Sequence, residues 1–147
     1  MNTSVSTTDV LVAGGLPFQH VLTATAVTGA DATGPVVEYT EHVNTRRLRR
    51  GVYVVTVDGI IAYVGKFTNT FAKRWLYTAD KKIYHHKRRS IAESLNAGQV
   101  VRVYAAAEQD LLQTMTIPTP ELMRWITIEG IEGALVSELK PAWNATS

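Results

Sequence analysis

Four side chains of this chain, Tyr53, Tyr63, Arg74 and Glu132, have the chemistry needed to act on a phosphodiester. Its hydrolysis requires an activated water and stabilisation of the charge that develops around phosphorus and on the leaving oxygen. A guanidinium offers a planar fork of donors to phosphate oxygens. A lone carboxylate can hold one Mg²⁺ when phosphate oxygens and waters fill the other coordination positions.

Tyr53 is the candidate for orienting or deprotonating the water, and Tyr63 either shares that role or holds the network together. An ordinary phenol has a pKa of about 10, so Tyr53 would need help from Lys66, Arg74 or the metal to act as a base. Asn144 could position Tyr53 or a backbone turn by hydrogen bonding.

Each of these residues also has an ordinary structural explanation. Strand tyrosines are more often half-buried sheet residues, and Arg74 fits a solvated helix face. Glu129 and Glu138 are rivals of Glu132 on spacing alone.

The basic residues form two clusters. The first comprises Arg46, Arg47, Arg49 and Arg50. The second comprises Lys81, Lys82, His85, His86, Lys87, Arg88 and Arg89. Such clusters flanking a site fit a polyanion, so we predict that they bind nucleic acid, with two solvated surface segments as the alternative. A metal site formed by the histidine pair is a weaker alternative, because no acidic residue lies nearby in sequence.

The bulk properties fit one soluble domain. The chain has 147 residues, 46% of them hydrophobic and 19% charged, and a net charge of +2. No apolar run approaches the roughly 18 residues of a membrane helix, and the N-terminus lacks the basic and apolar regions of a signal peptide. The absence of cysteine excludes disulfides and thiolate metal sites. We therefore predict a cytoplasmic protein with no membrane partner.

A β-hairpin is the clearest element that would position these residues. Residues 52–57 and 60–64 are β-branched and aromatic runs, and Asp58-Gly59 between them is typical of a tight turn of the primed type. Pairing about this turn predicts that Tyr53 and Tyr63 lie roughly level on adjacent strands and on one face.

Helices and one further strand follow the hairpin. We predict helices over residues 68–77, capped by Thr68 or Asn69, and over 87–97, a strand over 99–105, a short helix over 108–114 and a longer one over 119–139, capped by Thr119. The order predicts an α+β (mixed α/β) fold, β-β-α-α-β-α, in which a small three-stranded antiparallel sheet is flanked by helices. Residues 1–45 are predicted to be a partly flexible extension or arm, with a hairpin of 21–25 and 36–40, ahead of a domain over 46–147.

Residues 50–144 contain a set of motifs in a characteristic order. These are Gly51-Val52-Tyr53, Tyr63-Val64-Gly65, Arg74 on the next helix, and Glu132 ahead of Pro141 and Asn144. This order resembles the GIY-YIG nuclease superfamily. The resemblance implies a GIY-YIG-like nuclease domain over 46–147 whose catalytic residues are Tyr53, Tyr63, Lys66, Arg74, Glu132 and Asn144. Thr78 stands where many restriction enzymes of the family have a histidine.

The resemblance also implies an activity and its partners. It implies a DNA endonuclease that uses Mg²⁺, with Mn²⁺ as an alternative ion, held by Glu132. The compact size favours sequence-specific cleavage of double-stranded DNA of the restriction type, with a homodimer as the candidate assembly. The alternatives are a weakly specific or structure-selective nuclease of a phage, mobile element or toxin, a catalytically inactive DNA-binding module, and an α/β interaction domain with no affinity for nucleic acid.

Overall fold

A computed structural model describes residues 9–31, 34–76, 87–115 and 119–144. The strands are β1 (Val10–Ala13), β2 (Leu16–Asp31), β3 (Gly34–Glu41), β4 (Arg49–Val57), β5 (Ile60–Thr70) and β6 (Val101–Ala107). The α-helices are α1 (Phe71–Trp75), α2 (Arg88–Asn96), α3 (Glu108–Thr114), α4 (Pro120–Met123) and α5 (Ile128–Leu139). Short 3-10 helices span Thr45–Arg47 and Ala142–Asn144.

In these ranges the strands form one six-stranded antiparallel sheet, so the prediction of a small three-stranded sheet is wrong. The strand order is β1-β2-β6-β4-β5, and β3 also pairs with β2. The predicted core of β4, β5 and β6 is present, but it would leave one edge of β6 unpaired. Strand β2 covers that edge, with Gln19 opposite Ala105 and Thr23 opposite Arg102. The N-terminal segments are therefore part of the sheet, and their predicted hairpin appears as the longer pair β2–β3.

The hairpin of β4 and β5 is confirmed, together with its turn. Asp58 and Gly59 have φ of 51° and 82°, the positive values that a turn of the type I′ class needs. Val57 pairs with Ile60, but Val55 then pairs with Tyr63, which leaves Ala62 as an extra residue on β5.

This bulge determines where the tyrosines point. Because successive side chains of a strand alternate between faces, uninterrupted pairing would place Tyr53 and Tyr63 on opposite faces of the hairpin. The extra residue at Ala62 shifts the register by one, so both tyrosines lie on the same face. They are offset by two residues, with Tyr53 opposite Gly65, and not level as the sequence suggests.

Helices cover both faces of the sheet. On one face, Phe71 and Trp75 of α1 and Ile91 of α2 pack on Tyr53 and its neighbours. On the other face, Leu111 of α3 and the buried side of α5 pack on a second cluster. Both α1 and α5 also contact β5, which ends the strand order, and this brings helices from the two faces to one edge of the sheet.

Two helix boundaries differ from the prediction. Strand β5 continues to Thr70, whose hydroxyl accepts a hydrogen bond from the Lys73 amide at 3.1 Å, so α1 begins later than a cap at Thr68 or Asn69 would place it. The predicted helix over 119–139 is two helices. Thr119 caps the first, as expected, and Thr127 caps the second through the Gly130 amide at 3.1 Å.

No helix among the described residues is both long and apolar enough to cross a membrane.

Candidate active site

A cavity of about 330 Å³ opens at the β5 edge of the sheet. It is lined by Tyr53, Tyr63, Lys66, Phe67, Thr68, Arg74 and Glu132. Five of the six residues predicted to be catalytic therefore line one cavity. They come from two strands and from two helices on opposite faces of the sheet, and they meet at the edge strand.

Gly65 lets Tyr53 reach this edge from the neighbouring strand. Tyr53 is buried and lies opposite Gly65, where a Cβ atom would overlap its ring and hydroxyl. The first glycine of the paired motifs has a similar role, because a Cβ atom at Gly51 would overlap the carbonyl oxygen of Ala106 on β6. Both glycines are therefore needed for close approach.

Helix α1 holds Arg74 and Tyr53 together. Its buried residues Phe71 and Trp75 meet the Tyr53 ring edge-on, with centroid separations of 6.2 and 5.2 Å. Arg74 lies between these two anchors in the sequence and forms a side-chain hydrogen bond with Tyr53. The packing of two aromatic residues thus places a guanidinium beside a phenol.

Tyr63 completes a pair of phenols. Its ring centroid lies 6.0 Å from that of Tyr53, and a hydrogen bond joins the two side chains. The Lys87 ammonium lies 5.3 Å from the centre of the Tyr63 ring, in a cation–π contact. Lys87, which the sequence assigns to a DNA-binding cluster, therefore contacts one of the cavity tyrosines.

Burial sets the protonation of both tyrosines. Burial raises the pKa of Tyr53 above that of a free phenol, and the Arg74 guanidinium offsets only part of this effect. Burial also raises the pKa of Tyr63, again with partial compensation by Arg74. Both groups are therefore neutral phenols at neutral pH.

Glu132 is the acid of α5 that faces the cavity. The buried side of this helix consists of Ile128, Ile131 and Leu135, and Glu132 is half-buried beside it. The rivals Glu129 and Glu138 are exposed, and Glu138 lines a different, mostly apolar cavity.

The surroundings of Glu132 disfavour its charged form. Burial raises the pKa of the Glu132 carboxyl, Glu129 raises it further, and the cations of Lys66 and Arg74 lower it in part. A cation bound at this carboxylate would favour ionisation again.

Lys66 joins the cavity to a surface network of ion pairs. Its ammonium lies 3.5 Å from Oε2 of Glu129. Arg50 lies 3.8 Å from Oε1 of the same carboxylate and 3.3 Å from Oε1 of Glu108. The pKa of Glu129 is lowered, first by a hydrogen bond from its own backbone amide and then by Lys66 and Arg50.

Asn144 acts on the backbone of β5 instead of lining the cavity. Its Oδ1 accepts a hydrogen bond from the Val64 amide at 2.8 Å, and its Nδ2 donates to the Val64 carbonyl at 2.9 Å. Val64 lies between Tyr63 and Gly65, so the side-chain amide of Asn144 fixes the part of β5 that carries these two residues.

The first basic cluster lies on the surface. Arg46, Arg47, Arg49 and Arg50 are exposed, and the Leu48 carbonyl among them accepts a hydrogen bond from the first amide of α1 at 2.7 Å. The first cluster therefore adjoins the helix that carries Arg74.

The second cluster is described only from residue 87 onward. Arg89 is exposed, whereas Arg88 is buried at 7% exposure beside Tyr39 and Gly34 of β3. Lys81, Lys82, His85 and His86, which the sequence predicts to bind DNA, lie outside the described residues, as does Thr78. Arg88 belongs to α2 and packs against β3, which lies far away in the sequence. Its local sequence does not reveal this position.

The donor set around the cavity fits one hard divalent cation. Glu132 is the only carboxylate among the described lining residues. In the described ranges no three histidine, cysteine, aspartate or glutamate residues come together as a metal site. A single carboxylate is enough for Mg²⁺ when water and phosphate oxygens supply the remaining ligands.

Sequence reasoning missed Thr68 as a site residue, although it lines the cavity next to the apolar Phe67. It follows Lys66 by two residues on β5, and the two-residue repeat of a strand is the signal that would have found it.

Comparisons with known proteins assign no family. No family model matches the chain, and no curated protein matches it. Among solved structures, a mutant of bacteriophage T4 EndoII is similar, with 21% sequence identity and a TM-score of 0.46, over 84% of this chain and 91% of that one. The chemistry of the chain is therefore inferred from its own side chains.

Proposed function

We propose that this protein is a metal-dependent nuclease of the GIY-YIG type that hydrolyses phosphodiester bonds in DNA. The observation that supports this best is the convergence of two phenols, a guanidinium, an ammonium and a carboxylate on one cavity. A core would not gather these groups, because burying them costs solvation energy that only function or pairing offsets.

The cations are suited to the phosphate. Arg74 can present two parallel donors to non-bridging oxygens, and Lys66 adds a compact positive charge at the same cavity. Both charges favour a transition state in which negative charge accumulates around phosphorus. Glu132 is the residue that would hold Mg²⁺ or Mn²⁺, and such an ion supplies Lewis-acid stabilisation at the phosphate when bound.

The phenols are suited to water. Tyr53 is fixed by Arg74, by Tyr63 and by aromatic rings, so its hydroxyl has a defined direction. Its raised pKa favours a role in orienting the attacking water over a role as phenolate base. Tyr63 supports Tyr53 through their shared hydrogen bond. Asn144 is a positioning residue, since it acts through the backbone of β5.

The exposed arginines beside α1 support DNA as the substrate class. Arg46, Arg47 and Arg49 offer charge to a DNA backbone near the helix that carries Arg74. We extend the proposal to restriction-type cleavage of double-stranded DNA by a homodimer. Sedimentation of the protein, alone and with a duplex that it cleaves, tests whether it forms a homodimer. Sequencing of the product ends tests whether cleavage is sequence-specific.

One experiment tests the hydrolysis. Purified protein is incubated with plasmid, linear duplex and single-stranded DNA, with Mg²⁺ and with a chelator, and both band shift and cleavage are read. Cleavage that depends on the metal supports the proposal. Binding without cleavage would contradict it in favour of an inactive DNA-binding module, and the absence of both would favour an interaction domain without affinity for nucleic acid.

A further inference from the structure

Glu129 lies between two cations, one of which lines the candidate site. Arg50 approaches one of its carboxylate oxygens, at 3.8 Å, and Lys66 approaches the other, at 3.5 Å. The exposed fraction of the side chain is 44% for Arg50, 38% for Lys66 and 47% for Glu129. A ligand from solvent can therefore reach all three. Lys66 also lines the cavity, which makes this ion-pair cluster its direct neighbour.

The backbone of Arg50 is held in an uncommon conformation. Its φ is 48°, in the left-handed region that residues other than glycine rarely occupy. Two other non-glycine residues share this feature, but Asp58 lies in a tight turn and Lys140 ends a helix, where left-handed residues are common. Arg50 instead lies inside β4, at the register irregularity between Arg49 and Gly51.

Glu108 fixes the other side of the same guanidinium. Its Oε1 lies 3.3 Å from Nε of Arg50, while the Nη2 group is directed to Glu129. Arg50 is therefore positioned by its backbone and by Glu108, and its outer nitrogen is available to an anion shared with Lys66. Strain retained at one strand residue is a common sign of a functional position.

We infer that Arg50 and Lys66 form a subsite for a DNA backbone phosphate that flanks the scissile one, with Lys66 shared between the two phosphates, and that the Glu129 carboxylate occupies this subsite while DNA is absent. A phosphodiester carries two charged non-bridging oxygens, and the Glu129 carboxylate presents two oxygens to the same cations. Incoming DNA displaces Glu129, and the protein loses the Arg50 and Lys66 ion pairs when it gains the phosphate. The inference rests on DNA being the substrate of the neighbouring cavity.

Competition of this kind predicts that removing the carboxylate strengthens DNA binding. Affinity of the full chain for a short labelled duplex is measured by fluorescence anisotropy in the presence of a chelator, so that cleavage does not contribute. Glu129→Gln is compared with Glu138→Gln, which removes the same charge from an exposed position of the same helix. We expect Glu129→Gln to bind about twofold to fivefold more tightly than Glu138→Gln, the range expected for one exposed ion pair.

The gain must depend on Arg50, the cation of the subsite that does not line the cavity. In an Arg50→Gln background, Glu129→Gln should give less than half of that gain. Arg50→Gln alone should make the plot of log affinity against log salt concentration less steep by about 1, the change expected when one phosphate contact is lost. Equal affinities of Glu129→Gln and Glu138→Gln, or an undiminished gain without Arg50, would overturn the subsite. Thermal melts of each variant check that folding is retained.

The outcomes separate the subsite from the proposed hydrolysis. If the wild-type protein binds DNA and shows the Glu129 effect but never cleaves with metal, the hydrolysis is wrong and the subsite stands. If it cleaves and the Glu129 effect is missing, the subsite alone is wrong. Absence of any DNA binding overturns both.

Discussion

Tyr53 has a hydroxyl that its environment keeps protonated and directs with two hydrogen-bonded neighbours, Arg74 and Tyr63. Tyr53→Phe removes this hydroxyl and keeps the ring that packs against α1. We expect kcat for DNA cleavage to fall about 10²- to 10⁴-fold, the usual contribution of a group that handles the reacting water, with KM changed far less. Tyr104→Phe, a buried tyrosine on the opposite face of the sheet, is the matched control. Similar rates for the two variants would contradict the role given to Tyr53.

Glu132 should reduce the stability of the folded protein at neutral pH. Because its pKa is raised, the folded protein holds the proton more tightly than the unfolded chain does. The free energy of unfolding therefore falls as the pH rises from the ordinary carboxyl pKa through the raised one, and it stays lower above that window. Glu132→Gln cannot ionise, so we expect a higher Tm than the wild type at pH about 7.5 and no difference at pH about 3.5, below the ordinary carboxyl pKa.

Thermal melts at the two pH values measure this effect, with Glu138→Gln as the exposed control on the same helix. A gain for Glu132→Gln that is equal at both pH values would show that its carboxyl is not destabilised by burial.

At the level of elements, the close crossing of Tyr53 over Gly65 joins β4 to the edge of the sheet. Gly65→Ala would drive a methyl group into the Tyr53 ring and hydroxyl. We expect a loss of about 1–3 kcal/mol of stability and a displaced hydroxyl, with cleavage reduced up to about 10²-fold. Gly133→Ala is the control, because its Cβ meets open space on α5, and it should stabilise that helix by up to about 1 kcal/mol. Melting curves and cleavage rates for both variants test the contrast, which would fail if Gly65→Ala melted and cleaved like the wild type.

The sequence predicted the hairpin and named five of the residues that meet at the cavity. The Asp58-Gly59 turn and the Thr119 cap are each encoded within a few residues, whereas the interval from Glu132 to Asn144 is part of the motif order over residues 50–144. The bulge at Ala62 was not predictable in the same way, since it adds one residue to a run that reads as a continuous strand. Its effect on the tyrosines depends on pairing with β4.

Non-local contacts account for the other differences. Arg88 reads as part of a basic run, but β3 covers it from far away in the sequence. The partner of Asn144 is a strand backbone 80 positions away. Strand propensity reports how a side chain fits a half-buried surface and carries no record of which strand lies alongside.

At the scale of the whole molecule, the N-terminal strands share a sheet with the site. Val21, Leu22 and Ala24 of β2 are buried in the same cluster as Tyr53. The boundary predicted between residues 45 and 46 remains a prediction, and these contacts give it a direct test. We expect a chain of residues 46–147 to lose cooperative thermal unfolding, because it exposes one edge of β6 and part of this cluster.

A chain of residues 9–147 is the control, since it keeps every described strand and should melt cooperatively. If the chain of residues 46–147 melted as sharply as this control and retained cleavage, the N-terminal strands would be a dispensable extension.

The rate of DNA cleavage by Glu132→Ala under single-turnover conditions with Mg²⁺ tests the central claim most directly. Glu132 and Glu138 occupy the same helix, but of these two residues only Glu132 lines the cavity. We predict that Glu132→Ala binds DNA but cleaves it at least about 10³-fold more slowly, while Glu138→Ala stays within about twofold of the wild type. Cleavage by Glu132→Ala at the wild-type rate would contradict the assignment of this cavity as the active site.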